Sequence, residues 1–261
     1  MRGQVGDRWI AVALGNSRSL WGQFDGDRLQ QWQRCLSGQH PDWASELNCE
    51  LVVAEVGAPE RRSPLLTSRL ASQTSGAQLA QVLMPKQVPL AGQYNTLGLD
   101  RSLALVGAAS RWGWPMLVID GGTALTVSAA DENGRFVGGA ILPGFGLQAG
   151  TLHDGTAALP QIQFVNALDM AANQPERWAT STDGAIRSGI FYGILATVKE
   201  FCGDWRDRYP QSPAIFTGGD GELLYRTLAV KNSYFDPVVV LRGITVCRQI
   251  GRTSADRGSA S

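Results

Sequence analysis

The chain has 261 residues, 44% of them apolar, and its 23 basic side chains are matched by 23 acidic ones. That length suits one large domain or two small ones, and a formal charge of zero gives none of the clustered positive excess by which nucleic-acid binders are recognised. Only three of the basic residues are lysines (Lys86, Lys199 and Lys231). None of them follows a glycine-rich loop, which excludes a phosphate loop of the Walker type. Cys35, Cys49, Cys202 and Cys247 form no CxxC pair, and the two histidines, His40 and His153, are far apart. Zinc-ligand spacing is therefore missing, and the thiols read as core positions of a protein in a reducing compartment. No apolar run reaches the ~18–20 residues that span a bilayer, and the charged, glycine-containing start is unlike a secretory signal. The expectation is a cytoplasmic protein with no membrane and no nucleic-acid partner.

Taken in order, Trp9–Leu14 reads as a strand and is followed by the turn Gly15-Asn16-Ser17. A second strand, Ser19–Phe24, leads through Asp25-Gly26-Asp27 to a third that starts near Leu29. Asp42–Leu47 is a short helix, Leu51–Val56 a buried strand ending at Gly57 and Pro59, and Pro64–Leu70 a helix. Gln81–Pro85 is a candidate strand, and Asp100–Trp112 an apolar-rich helix with Leu103, Leu105, Val106, Ala109 and Trp112 on one face. The opening pattern then returns about 107 positions on: Met116–Ile119, the turn Asp120-Gly121-Gly122-Thr123, Leu125–Ala129, the turn Asp131-Glu132-Asn133-Gly134, and Phe136–Ile141. Asp183–Phe201 is the longest helical pattern. Ala214–Phe216 is a strand ending at Gly218-Gly219, and Gly221–Ala229 is a helix. The polar end of the chain reads as a frayed tail. Two strand trios, each followed by helices and strands, predict an α/β architecture in two lobes, residues 1–112 and 113–250, with a flexible tail at 251–261.

The glycine turns carry the chemical signal. Glycine after a strand lets the backbone approach a phosphate and aim N–H groups at it. Thr123 adds a hydroxyl, and Asp120 can hold a cation that neutralises phosphate charge. Asn16 and Ser17 can do the same work in the first copy. Either turn alone reads first as an ordinary hairpin turn. The two together, with Thr217-Gly218-Gly219 after a further strand, favour nucleotide binding. Gly98-Leu99-Asp100-Arg101 opens a helix, where Asp100 reads as a cap or, beside Arg101, as a base next to an anion-binding group. His153 and Asp154 fall in the helix after Pro143-Gly144 and carry no assignment.

Seven segments in order resemble the type III pantothenate kinase family, which is similar in architecture to the actin, hexokinase and acetate kinase superfamily with its two ribonuclease-H-like lobes. The segments are Ala13–Ser17 against a DxGNT turn, Tyr94 with Gly98–Arg101, and Asp120–Ala124 against DxGTA. They continue with Gly138–Gly144 against GGxIxPG, Leu152 with Thr156–Pro160, Ser181–Gly189, and Thr217–Gly219. The resemblance implies ATP-dependent phosphorylation of pantothenate to 4'-phosphopantothenate, the first step of coenzyme A biosynthesis. It also implies site residues. Asp100 would be the general base. Tyr94, Gly98, Leu99, Asp100, Arg101 and Thr182 would bind pantothenate. Gly15, Asn16, Ser17, Gly122 and Thr123 would cradle ATP, which enters with Mg2+. Asp120 would hold a monovalent cation, potassium or ammonium, and the enzyme would be a homodimer.

The chain departs from the pattern at its first carboxylate, because the Asp of DxGNT is Ala13 here. Ser17 stands for Thr and Ser181 for Asn, both milder changes. Ala13 motivates a second reading, a catalytically impaired homologue acting as a binding or regulatory protein. A third, a sugar or acetate kinase of the same superfamily, is disfavoured by the segment from Tyr94 to Arg101.

Overall fold

The computed structural model describes residues 7–56, 60, 62–71, 80–164 and 173–258. The chain divides into two compact units, residues 1–111 with 238–261, and residues 112–237.

In the first unit β1 (Arg8–Leu14), β2 (Arg18–Asp25) and β3 (Arg28–Leu36) form an antiparallel meander, and β4 (Glu50–Glu55) and β5 (Ala80–Val82) extend it in parallel. The strand order is β3-β2-β1-β4-β5. Period-two alternation sends Ile10, Val12, Leu14, Trp21, Leu51 and Val53 to one face. There they form a core with Ala44 of α1 (Asp42–Glu46) and Leu66 of α2 (Pro64–Ala71). The other face carries Trp9, Ala11, Ala13 and Phe24, with Trp9 stacked on Phe24 at 4.6 Å. A helix at the C-terminal end of the chain, Val239–Gly258, packs on this face against β1, β2 and β4. The helix α3 (Leu99–Trp112) crosses it closely. A Cβ on Gly107 would overlap the Val239 carbonyl and sit 2.7 Å from the Gly243 nitrogen, so glycine is what lets the two backbones touch. Every residue of α3 from Arg101 to Ala108 is buried, more than the single stripe predicted.

In the second unit β6 (Met116–Gly121), β7 (Ala124–Ala130) and β8 (Phe136–Pro143) form the equivalent antiparallel meander, with β9 (Ala214–Gly218) and β10 (Ser233–Phe235) parallel to β6. The order β10-β9-β6-β7-β8 repeats that of the first unit. The core joins Ile119, Leu125, Val127 and Phe216 to Phe145 of α4 (Phe145–Asp154), to Ile190, Phe191 and Ile194 of α5 (Thr182–Arg208), and to Leu223 of α6 (Gly221–Leu228). Two mixed five-stranded sheets of one order are the α/β, two-lobe architecture expected.

Three expectations are corrected. The C-terminal segment does not close the second lobe, and residues 251–258 are not a loose tail. They continue the helix Val239–Gly258, here α7, which belongs to the first unit because Val239, Leu241, Ile244 and Cys247 bury against its sheet. Arg248, with its side chain 3% exposed, bonds Asp7 and Glu50 (3.0 and 2.8 Å) and lies 4.4 Å over the Trp9 ring. Residues 259–261 lie outside the described residues. Finally, the strand expected at Gln81–Pro85 stops at Val82 and gives way to a 3-10 turn at Pro85–Gln87, where proline cannot donate to a ladder.

Candidate active site

In the first unit the residues around the start of α3 are drawn together. Arg101 donates from Nη1 to the Tyr94 hydroxyl at 3.0 Å, and Arg101 is 6% exposed while Tyr94 is 46% exposed. Asp100 stands in the first turn of the helix, and its Oδ1 accepts the Arg101 backbone N–H at 2.9 Å. Burial pushes its carboxyl above the ordinary aspartate value, opposed by that N–H and by the Arg101 charge. Gly98 has a steric reason: a Cβ there would stand 2.5 Å from Asp100 Oδ1. Leu99 is buried beneath them. Two residues that the motif does not contain hold the approach. The Ser102 hydroxyl donates to Gln93 Oε1 at 3.0 Å, and Gln93 Nε2 donates to the Val88 and Leu90 carbonyls. Their only sequence signal is a polar pair nine positions apart flanking Tyr94 and Gly98. A half-buried carboxylate beside an arginine that is itself steered by a tyrosine hydroxyl can take a proton and hold an anion.

The turn of the first unit, Gly15–Ser17, leaves β1 and enters β2. The Gly15 N–H donates to the Arg18 carbonyl at 2.9 Å, and the Ser17 and Asn16 carbonyls accept from the Ser37 N–H and hydroxyl at 3.1 and 3.2 Å. In the second unit the Gly122 N–H likewise donates to the Ala124 carbonyl at 3.2 Å. The amides of both glycines therefore close their own turns rather than face outward, and the exposed positions are Asn16, Ser17 and Thr123.

Asp120 stands at the end of β6, opposite Thr217 of β9 and Thr126 of β7. Gly218 has φ +88°, and a Cβ on it would run into both Asp120 Oδ1 and the Gly121 carbonyl oxygen. The Thr217-Gly218-Gly219 turn thus makes room for the carboxylate, a role its sequence alone did not disclose. Asp220 N–H donates to the Gly121 carbonyl at 2.8 Å, and Gly144 N–H to the Thr123 carbonyl at 2.9 Å, so the turn is tied from two sides. Asp120 Oδ1 and the Gly121 carbonyl oxygen both pack close against Gly218, and oxygen donors of this kind suit a hard cation. Among the described residues there is no cluster of three or more His, Cys, Asp or Glu side chains able to hold a metal ion. Thr182 is the exposed first residue of α5, and Ser181 caps that helix by accepting the Gly184 N–H at 3.2 Å, so serine serves where asparagine was expected.

The first unit has no counterpart of Asp120. Ala13 occupies the equivalent place on β1, opposite Leu20 and Ala54.

The fold recurs in solved structures of low sequence identity. A Campylobacter jejuni chain assigned to the Baf family of transcriptional activators aligns with a TM-score of 0.61 at 20% identity, over 94% of this chain and 99% of its own. The activator of 2-hydroxyisocaproyl-CoA dehydratase from Clostridium difficile, with bound ADPNP, aligns at 0.52 and 11% identity over 95% and 97%. Sequence relatives are much nearer. A type III pantothenate kinase of Synechococcus sp. (strain JA-3-3Ab) is 46% identical over 250 residues, 94% of each chain. That of Synechococcus elongatus is 38% identical over 95% of this chain and 99% of its own. With the profile of the type III pantothenate kinase family also matching residues 9–204, the chain belongs to that family.

Proposed function

We propose that this protein is a kinase that transfers the γ-phosphoryl group of ATP to the primary hydroxyl of pantothenate, giving 4'-phosphopantothenate for coenzyme A synthesis. The observation that carries the reading is the Tyr94–Arg101–Asp100 constellation, complete and pre-ordered in a member of the family. Asp100 is the base that receives the hydroxyl proton, and its raised pKa moves it towards the operating pH of such a group. Arg101 and Tyr94 bind pantothenate, Gly98 and Leu99 shape its pocket, and Thr182 contributes a hydroxyl. Gly15, Asn16, Ser17, Gly122 and Thr123 form the turns that receive the triphosphate, which arrives with Mg2+. Asp120, with the Gly121 carbonyl, would hold potassium or ammonium, which would supply positive charge near the phosphates. Phosphoryl transfer of this kind depends chiefly on positioning and charge neutralisation.

A homodimer belongs to the same proposal. It is supported by β8, an edge strand of the second unit with Val137 and Ile141 exposed, and by exposed Leu147 on α4, an apolar edge of the kind that pairs with another chain. A sedimentation profile of monomer alone at micromolar concentration would contradict it. A cytoplasmic location belongs to the same proposal and is in keeping with the use of ATP; no described helix is long and apolar enough to cross a membrane.

The test is ADP release from purified protein with ATP, Mg2+ and pantothenate, with and without potassium. Pantothenate-dependent release stimulated by potassium is the expected result. Binding of pantothenate with no turnover under any cation would make the chain a binding protein instead.

A further inference from the structure

The two glycine turns are built alike but carry opposite charge. In the second unit Asp120 stands one residue before the end of the strand that enters the turn, and the residue across from Gly122 is Ala124. In the first unit that place, one residue before the strand's end, is Ala13, and the residue across from Gly15 is Arg18. The carboxylate has gone from one side of the turn, and a guanidinium stands on the other.

Register places Arg18 and Ala13 on one face. Ala13 lies directly opposite Leu20, and Arg18 is two residues before Leu20 on β2. Trp9 stacking on Phe24, and the approach of Leu241 to Gly22, mark the same face further along both strands. Arg18 is exposed, and its side chain makes no hydrogen bond or ion pair among the described residues. The turn Asn16-Ser17 lies immediately before it. Glu55, across from Leu14, is a carboxylate at this end of the sheet. It belongs to the opposite face and is held by Arg62 through two hydrogen bonds of 2.9 and 2.6 Å, so it neither replaces the missing aspartate nor neutralises Arg18.

We propose that Arg18 is a phosphate-binding residue, and that at its first turn this chain neutralises nucleotide phosphate directly with a guanidinium rather than through a carboxylate-held cation. A planar guanidinium matches phosphate oxygens with two parallel charge-assisted hydrogen bonds, which a carboxylate at position 13 would compete for. The inference rests on the kinase reading for the identity of the nucleotide, and on the charge pattern of the turn for everything else.

The experiment is calorimetric titration of the full chain with ADP, once in excess chelator and once with Mg2+. The variants are Arg18→Gln, Arg18→Lys and Ala13→Asp. Wild type should bind ADP without metal. Arg18→Gln should weaken that binding by about 10- to 100-fold, the usual range for a charge-assisted bond, with the melting temperature unchanged. Arg18→Lys should retain part of the affinity. Ala13→Asp should weaken metal-free binding and make affinity depend more steeply on Mg2+. Arg18→Gln binding ADP within twofold of wild type in both conditions overturns the proposal, as does wild type that fails to bind ADP. Pantothenate turnover measured alongside separates the two ideas. Turnover with Arg18-independent ADP binding leaves the kinase and removes this role, whereas Arg18-dependent binding without turnover does the reverse.

Discussion

Asp100 pays for its position in a way that can be measured twice over. Its pKa is raised chiefly by burial, so the folded protein holds the proton more tightly than the unfolded chain does. The linkage then favours the native state at low pH, and a stability cost develops as pH rises from the ordinary value of 3.8 through the raised one. Asp100→Asn removes that cost together with the base. Pantothenate phosphorylation should fall by about 10²- to 10⁴-fold, the scale of a lost general base, while the melting temperature at neutral pH does not drop. In the wild type the acid limb of kcat/KM should lie above the ordinary aspartate range. A variant that loses activity and stability together would show Asp100 to be a structural cap. Resemblance to the family's motifs is what marked Tyr94, Asp100 and Arg101 as candidates, since the local pattern by itself leaves Asp100 as a cap or a base. Neither disclosed the reason for Gly98, the Gln93–Ser102 brace or the accommodation of Asp120 by Gly218, because each depends on a contact with no local periodicity.

At the scale of elements, α3 and α7 meet backbone to backbone. Gly107 and Gly243 stand at the crossing, and a Cβ on Gly243 would overlap the Leu103 carbonyl and come within 2.7 Å of its carbon. Glycine to alanine in a helix ordinarily stabilises by up to about 1 kcal/mol. Here the sign reverses, because peptide groups cannot yield as a flexible side chain does. Gly107→Ala or Gly243→Ala should cost about 3 kcal/mol, read as a lower urea midpoint at unchanged slope. Gly251→Ala, on the same helix with open space around the position, should not. This crossing also explains what was hard to read. The strand trios are legible because Asp-Gly and Asn-Gly turns separate alternating runs. The helix α7 is buried at most positions from Val239 to Arg248 and has Gly243 among them, so its first half reads in the sequence as a short apolar run broken by glycine. Its polar end continues as helix because the anchored part has already borne the nucleation cost. β10, at three residues, is too short to announce itself.

At the scale of the molecule, the first and last described parts of the chain are joined by ionic contacts. Arg248 binds Asp7 and Glu50, and Arg252 also reaches Asp7. The hydrogen bond from Arg248 is the main reason that the Asp7 carboxyl is held at about 2 instead of 3.8. A depressed folded pKa gives stability that is complete above the unfolded value and is lost as pH falls towards the folded one. Melting temperatures followed from pH 4 to about 2 should therefore show a decline that is shallower in Arg248→Leu, although that variant is less stable at neutral pH. Equal slopes would show that Asp7 is not coupled to the helix. The same joint bears on how the chain is made. Residues 112–237 are contiguous, whereas the first unit needs residues 238–258 to cover its sheet. On a ribosome the part synthesised first must wait, its Trp9 face uncovered, until the C-terminal helix emerges, while the later part can already fold. The order of synthesis and the order of completion are thus reversed, and a chain released a few turns of helix too early would leave the earlier-made unit unfinished.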